Sequence, residues 1–254
     1  MFNAYKKHYN DGVKLDMKKS FYCGDAAGRK ASGKRKKDFS DSDLKFAAAV
    51  GLPFFVPEEH FLGEVMKKSD KAFDMSQFEE NEESKSVFED GEGDVVKEDQ
   101  ECIIFCGPPG AGKSTFWGNY LRTYTRVNND TLKTPAKCKA ALLAAIKAGK
   151  SAVIDNTNKS IEERNRYISI CQEHKIPVRC FFFEEPKDLA MALNKMREYN
   201  KCRTHYSKKV GSVVIHTWYK YLEKPTTDEG FSEVKTIKFV PKLQSEKERN
   251  IFYG

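Results

Sequence analysis

The stretch ECIIFCGPPGAGKSTFWGNYL, residues 101–121, decides the fold. Cys102 to Cys106 is a short apolar run between polar residues, which predicts a buried parallel strand. It leads into Gly107, Pro108, Pro109, Gly110, Ala111, Gly112, Lys113 and Ser114, a full match to G-x-x-x-x-G-K-[ST], and from Lys113 onward, through Thr115, the residues suit a helix. Strand, glycine-rich turn and helix start are the context that gives this motif its meaning. Free backbone N–H groups at the loop and helix start converge on one point and attract an anion. The glycines permit positive φ and close backbone approach. Lys113 supplies a mobile charge for the outer phosphates, and the Ser114 hydroxyl can ligate Mg²⁺. A nucleoside triphosphate site follows, with Mg²⁺ as the expected metal.

Working outward, strand-like and helix-like segments alternate after the loop. Tyr124–Val127 predicts a strand ending at Asn128, Asn129 and Asp130. Thr134 and Pro135 open a helix that runs to Gly149. Ser151–Ile154 predicts a strand closed by Asp155, and Ser160 with Glu163 forms a capping box for a helix reaching about His174. Pro177–Phe183 is a strongly apolar strand. Residues from Pro186 to about Asn200 and from Lys208 to Leu222 read as helices, and Val234–Val240 as a last strand. The alternation means βαβ units in a doubly wound parallel sheet, an α/β fold. Ligands of such sheets lie beyond the carboxyl ends of the strands, which places the phosphate loop, Asp130 and Asp155 in one crevice.

Composition narrows the partners. The 254 residues carry 44 Lys and Arg against 37 Asp and Glu, a net charge of +7. Residues 66–100 hold 12 acidic and 5 basic side chains, a net of −7, so the remainder carries +14. A basic body suits a polyanion such as nucleic acid, although solvated lysine would give the same balance. Seven scattered cysteines form no Cys-x-x-Cys pair, which argues against zinc and for reduced thiols in an intracellular protein. No apolar run nears membrane-spanning length, so a soluble chain with no membrane partner is expected.

Three regions are expected: a fragment of another domain at 1–64, an acidic linker at 65–100, and the phosphate-loop domain at 101–254. In the first, Ser20–Cys23 reads as a strand ending in GDAAGR, followed by the basic GKRKKD, a helix at Ser42–Val50 and the strand-like LPFFVP. GKRKKD reads either as a basic run inside a fold or as a nuclear import signal. Within the crevice, Asp130 and Asp155 are carboxylates that could activate a hydroxyl or sit near Mg²⁺. Arg197 and Arg203 flank Glu198 in the segment 187–203, which could close over phosphates as a lid or be a solvated helical face.

GPPGAGKSTF, VNNDTL, VIDNTN, RNRY, NKMRE and PTTDEGF stand in the order seen in eukaryotic polynucleotide kinase 3′-phosphatases, and GDAAGR with DFSDSD resembles the last acidic motif of their haloacid-dehalogenase-like phosphatase domain. The resemblance implies a P-loop kinase domain that transfers the ATP γ-phosphate to 5′-hydroxyl ends of DNA or RNA, in nuclear strand-break repair. Scaffold proteins of repair are implied partners, and a monomer is expected. It gives Asp130 the general-base position, Lys113 and Ser114 the phosphate and Mg²⁺ roles, and Arg197 the lid position. Asp155 lies in the strand-end motif with a metal role, and Arg164 and Arg166 fall where the family has basic residues near substrate. In the first region Asp25, with Asp38 or Asp43, matches aspartates that hold Mg²⁺. No Asp-x-Asp pair precedes Gly24, so 3′-phosphatase activity is expected to be absent. Two positions depart from the pattern: Asn129 and Lys137 stand where the family favours Arg, losing a charge in one case and a two-pronged phosphate grip in the other. Two other classes fit the same residues, a P-loop kinase of a small metabolite and a non-catalytic binder of nucleic-acid ends.

Overall fold

The computed structural model describes residues 2–33, 35–64, 78, 86–199, 210–241, 249 and 252. The chain divides into two compact units, residues 1–77 with 244–254, and residues 78–243.

In the first unit, strands β1 (Tyr22–Cys23) and β2 (Phe54–Phe55) pair in parallel, with helix α1 (Phe2–His8) before them, α2 (Ser42–Val50) between them and α3 (Pro57–Leu62) after. Gly51 ends α2 in a left-handed conformation, returning its N–H to the carbonyls of Ala47 and Ala48. The loop after β1 is held by buried ions. Arg29, 6% exposed, reaches Asp38 at 2.8 Å and Glu58 at 3.1 Å and donates to the Asp25 carbonyl. Burial works to raise the Asp38 pKa, but hydrogen bonds from Arg29 and from the Ala27 and Arg29 amides hold it below the usual carboxylate range.

The second unit is built on five parallel strands: β3 (Cys102–Cys106), β4 (Thr125–Val127), β5 (Ala152–Ile154), β6 (Val178–Phe182) and β7 (Glu233–Thr236), in the order β4-β5-β3-β6-β7. The phosphate-loop strand is central, with Ile103 opposite Val153 on one side and Arg179 on the other. All five of its residues are buried because helices cover both faces. The pleat divides them. Cys102, Ile104 and Cys106 join Leu142, Ile168 and Trp218, contributed by helices α6 (Pro135–Lys147), α7 (Ile161–Glu173) and α9 (Ser212–Lys220). Ile103 and Phe105 join Phe88, Phe181, Phe183 and Phe116 of helix α4 (Lys113–Tyr120). Burying each such ring contributes about 1.5–3 kcal/mol, so this aromatic layer fixes the loop that follows β3.

The predicted elements appear with trimmed ends, α9 starting at Ser212 and β7 stopping at Thr236. Residues 208 and 209 lie outside the described part. Two expectations change. The acidic stretch is not a linker throughout: residues 86–100 are packed within the second unit. Phe88 is 2% exposed and bridges Ile237, and Arg179 donates to the carbonyls of Asp94 and Val95 at 2.7 and 2.9 Å. Its carboxylates face solvent while Val87, Phe88 and Val95 face the core, which composition alone hides. Second, Asp130 does not hang from a strand end. A short helix, α5 (Asn129–Leu132), starts at once, capped by Asn128.

Candidate functional site

The crevice lies at the carboxyl ends of β3, β4 and β5, where the strand order reverses about β3. The segment Asp155-Asn-Thr-Asn158 ties it together. The Asp155 amide donates to Val127, Asn156 Oδ1 accepts the Asn129 amide at 2.8 Å, the Thr157 carbonyl accepts the Gly107 amide, and Asn158 Nδ2 donates to the Phe105 carbonyl. Ends of three strands are thus pinned by side chains and backbone of one turn.

The loop needs its glycines for distinct reasons. A Cβ on Gly107 would stand 2.7 Å from Phe183 Cβ, and Gly110 takes φ +102 against the Ala190 carbonyl. Lys113 is 8% exposed, and its Nζ donates to the carbonyls of Gly107 and Pro108 at 2.8 and 2.7 Å. Burial lowers its pKa to about 8, Arg197 pushes the same way, and the carboxylates of Asp155 and Glu185 oppose it. Ser114 Oγ donates to Asp155 Oδ2 at 2.9 Å, and Asp155 is 2% exposed. These two hard oxygen donors suit Mg²⁺, which would neutralise charge on phosphate oxygens.

The predicted residues separate into groups. Pro108, Pro109, Ala111 and Thr115 complete the loop and helix start, Thr115 being exposed. Asp130 stands exposed on the first turn of α5, which is joined through Asn128 and Asn129 to Asp155 and Asn156. Arg197, half-buried on helix α8 (Lys187–Tyr199), acts electrostatically on Lys113. Arg203 lies outside the described residues. Lys137 is exposed in the first turn of α6, and Arg166 is exposed on α7, paired with Glu162 at 2.6 Å.

Arg164 requires a correction. Its side chain is 0% exposed, grips Glu229 with two bonds of 2.7 Å and donates to the Asn158 carbonyl at 3.0 Å. A guanidinium with no surface cannot touch a substrate phosphate, so it serves as a strut behind the crevice. The carboxylates expected beside Asp25 are engaged within the first unit. Asp38 is engaged by Arg29 and Arg35, and Asp43 accepts from the Ala26 amide and Tyr22 hydroxyl. Among the described residues no cluster of three or more His, Cys, Asp or Glu could hold a metal.

Two residues escaped the sequence reading. Arg126, on β4, donates through Nε and Nη2 to Asp155 Oδ2 at 2.8 and 2.5 Å and through Nη2 to Ser114 Oγ at 2.7 Å. Glu185, just beyond β6, is 6% exposed, and its Oε2 is buried without a hydrogen-bond partner. Burial raises its pKa to about 8, with Lys113 pulling the other way. A carboxylate at the end of FFFEE obeys the same strand-end rule that picked Asp155. Arg126 gave a fainter signal, a charge inside a strand.

Fold and site together define a P-loop protein of the doubly wound kinase class. The particular likeness is to the polynucleotide phosphatase/kinases. Residues 1–61 match the polynucleotide kinase 3 phosphatase family, and residues 134–225 match an AAA domain family. The chain is 34% identical over 242 residues to the bifunctional polynucleotide phosphatase/kinase of Schizosaccharomyces pombe, covering 94% of this chain and 55% of that one. It is 34% identical over 262 residues to a putative bifunctional polynucleotide phosphatase/kinase of Acanthamoeba polyphaga mimivirus, covering 94% and 61%. Over 62 residues, 24% of this chain and 8% of the other, it is 56% identical to the polynucleotide 3′-phosphatase ZDP of Arabidopsis thaliana. The chain spans about half to three-fifths of the length of the first two relatives.

Proposed function

We propose that the second unit transfers the γ-phosphate of ATP to 5′-hydroxyl ends of DNA, with RNA ends as the other acceptor of the same chemistry. The observation that carries the reading is one crevice that joins a phosphate loop, the Ser114–Asp155 pair and an exposed carboxylate, Asp130, on the first turn of α5. The two relatives of 34% identity, both with phosphatase/kinase names, support the choice of acceptor.

In this reading the 5′-oxygen attacks the γ-phosphorus, its proton passes to the Asp130 carboxylate, and the bond from γ-phosphorus to the bridging oxygen breaks to leave ADP. Lys113 leaves the Gly107 and Pro108 carbonyls to meet the outer phosphates, and Arg197 adds charge from α8. Ser114 and Asp155 would hold Mg²⁺, which neutralises phosphate charge when bound. An exposed base suits the end of a long polymer. The basic body favours polyanions, with the acceptor held by counterion release. Strand-break repair in the nucleus, scaffold proteins as partners and action as a monomer belong to the same proposal. Among the described residues no helix is long and apolar enough to cross a membrane.

The test is labelled ATP with a 5′-hydroxyl oligonucleotide. Transfer is expected, lost in Asp130→Asn while ATP still binds, because the amide keeps size but accepts no proton. Transfer to a small metabolite and none to the oligonucleotide would replace the acceptor.

A further inference from the structure

Asp155 is a buried carboxylate, and a buried carboxylate needs a cation or several donors close by. In this structure the cation is Arg126. Its guanidinium donates twice to Asp155 Oδ2, at 2.8 and 2.5 Å, and once to Ser114 Oγ at 2.7 Å. Ser114 Oγ in turn donates to the same Asp155 oxygen. One side chain therefore engages Ser114 Oγ and one of the two Asp155 carboxylate oxygens. The guanidinium also lies 4.9 Å from the Trp117 ring centroid, and the Arg126 side chain is 24% exposed where Asp155 is 2% exposed. It has a way out toward solvent and an aromatic face along which to move; Asp155 has neither.

Resting on the nucleotide-binding reading above, we infer that Arg126 is a displaceable occupant of the divalent-cation position, holding Ser114 and Asp155 until a metal–nucleotide complex takes its place. Mg²⁺ binds oxygen at about 2.0–2.1 Å in near-octahedral geometry, so it cannot share Asp155 Oδ2 and Ser114 Oγ with nitrogens already 2.5–2.8 Å away. Like charges a few Å apart also repel, by more than a tenfold change in affinity requires. Arg126 must leave, and its bonds oppose the metal. The free protein keeps its buried carboxylate paired, and the metal enters at a handicap that nucleotide phosphates help to overcome.

The experiment uses the full chain and two readouts that do not depend on catalysis. Melting temperature is followed against Mg²⁺ alone, and the affinity of a fluorescent ATP analogue is measured in EDTA and in Mg²⁺. Arg126→Gln should melt below wild type without metal, because Asp155 has lost the cation bonded to it. It should also recover with Mg²⁺ at concentrations on the order of tenfold lower than those that affect wild type. The gain in nucleotide affinity on adding Mg²⁺ should be larger in the variant by on the order of tenfold. Identical Mg²⁺ dependence in the two proteins would overturn the inference, as would weaker Mg²⁺–nucleotide binding by the variant, which would make Arg126 a phosphate ligand or strut. If neither protein binds nucleotide, the nucleotide-binding reading fails, and the Mg²⁺ titration of melting still decides the role of Arg126. Should Arg126→Gln not fold, Arg126→Lys keeps the charge but cannot bridge both oxygens, and its Mg²⁺ dependence should fall between the two.

Discussion

Replacing Arg164 with alanine separates a strut from a substrate contact. The guanidinium is fully buried and makes two 2.7 Å bonds to Glu229 and a third, of 3.0 Å, to the Asn158 carbonyl. Truncation leaves the Glu229 carboxylate, 6% exposed, without its cation, and removes a donor from the turn that closes the crevice. Breaking one side of a buried pair costs about 3–5 kcal/mol, against a total stability of about 5–15 kcal/mol for a typical domain. For a unit of this size that is a melting temperature lower by roughly 6–20 °C. Chemical denaturation of wild type, Arg164→Ala, Arg166→Ala and the double variant Arg164→Met with Glu229→Leu measures it. Arg166→Ala should stay within about 0.5 kcal/mol, since its pair is exposed. The double variant should recover most of the loss because no buried charge remains. Unchanged stability in Arg164→Ala, together with weaker oligonucleotide binding, would refute the strut and restore the contact expected from the sequence.

Lys113→Ala should lower phosphoryl transfer by ~10²–10³, read in single-turnover assays, since a charge on the developing transition state is gone. Phe88→Ala should destabilise the second unit by about 3–5 kcal/mol in urea titrations, because its ring lies buried among Phe181 and Ile237; a linker position would give nothing measurable. The third concerns pH. Burial raises Glu185, so the stability favouring its neutral form is complete below about 4.5 and lost as pH climbs through about 8. Lys113 is lowered, and its contribution to the slope lies above about 8, outside that window. Denaturation midpoints of wild type should therefore decline from pH 5 to 8 more than those of Glu185→Gln; parallel profiles would remove Glu185 from the linkage.

What the sequence made legible was whatever had a short-range signature. The phosphate loop, the Thr134 and Ser160 caps and the apolar strands each depend on residues within a few positions, and their helices and strands stand where expected. Arg164 and residues 86–100 were misread because their partners are distant in the chain. Glu229 lies 65 positions from Arg164, and Arg179 lies 85 positions from Asp94. A basic residue in RNRY carries no local mark to tell an arginine facing solvent from one facing Glu229. On α7, Arg164 shares its buried face with Tyr167, Ile168 and Cys171, while Arg166 lies outside it. Helical spacing alone was available to make that distinction, and the assignment by resemblance passed over it.

The buried ions of the second unit divide by how well they are matched. Arg179 and Glu101 face each other with two bonds of 2.6 Å at 1% exposure each, and Arg164 and Glu229 do the same at 2.7 Å; both pairs also satisfy backbone carbonyls. Pairs so complete hold a fold and have nothing left to offer a ligand. Around the phosphate loop the matching is poorer. Lys113 is lodged on two carbonyls rather than on a carboxylate, and Glu185 buries an oxygen with no donor. Asp155 depends on an arginine that is a quarter exposed. Burial displaces the pKa of Lys113 downward and that of Glu185 upward, each toward its neutral form. Groups kept away from their preferred partners respond most when an anion arrives, because ligand contacts replace what the free protein lacks. Incomplete pairing, rather than charge density, is what separates the crevice from the rest of the buried charges, and Arg126 and Glu185 fall on its side of that division.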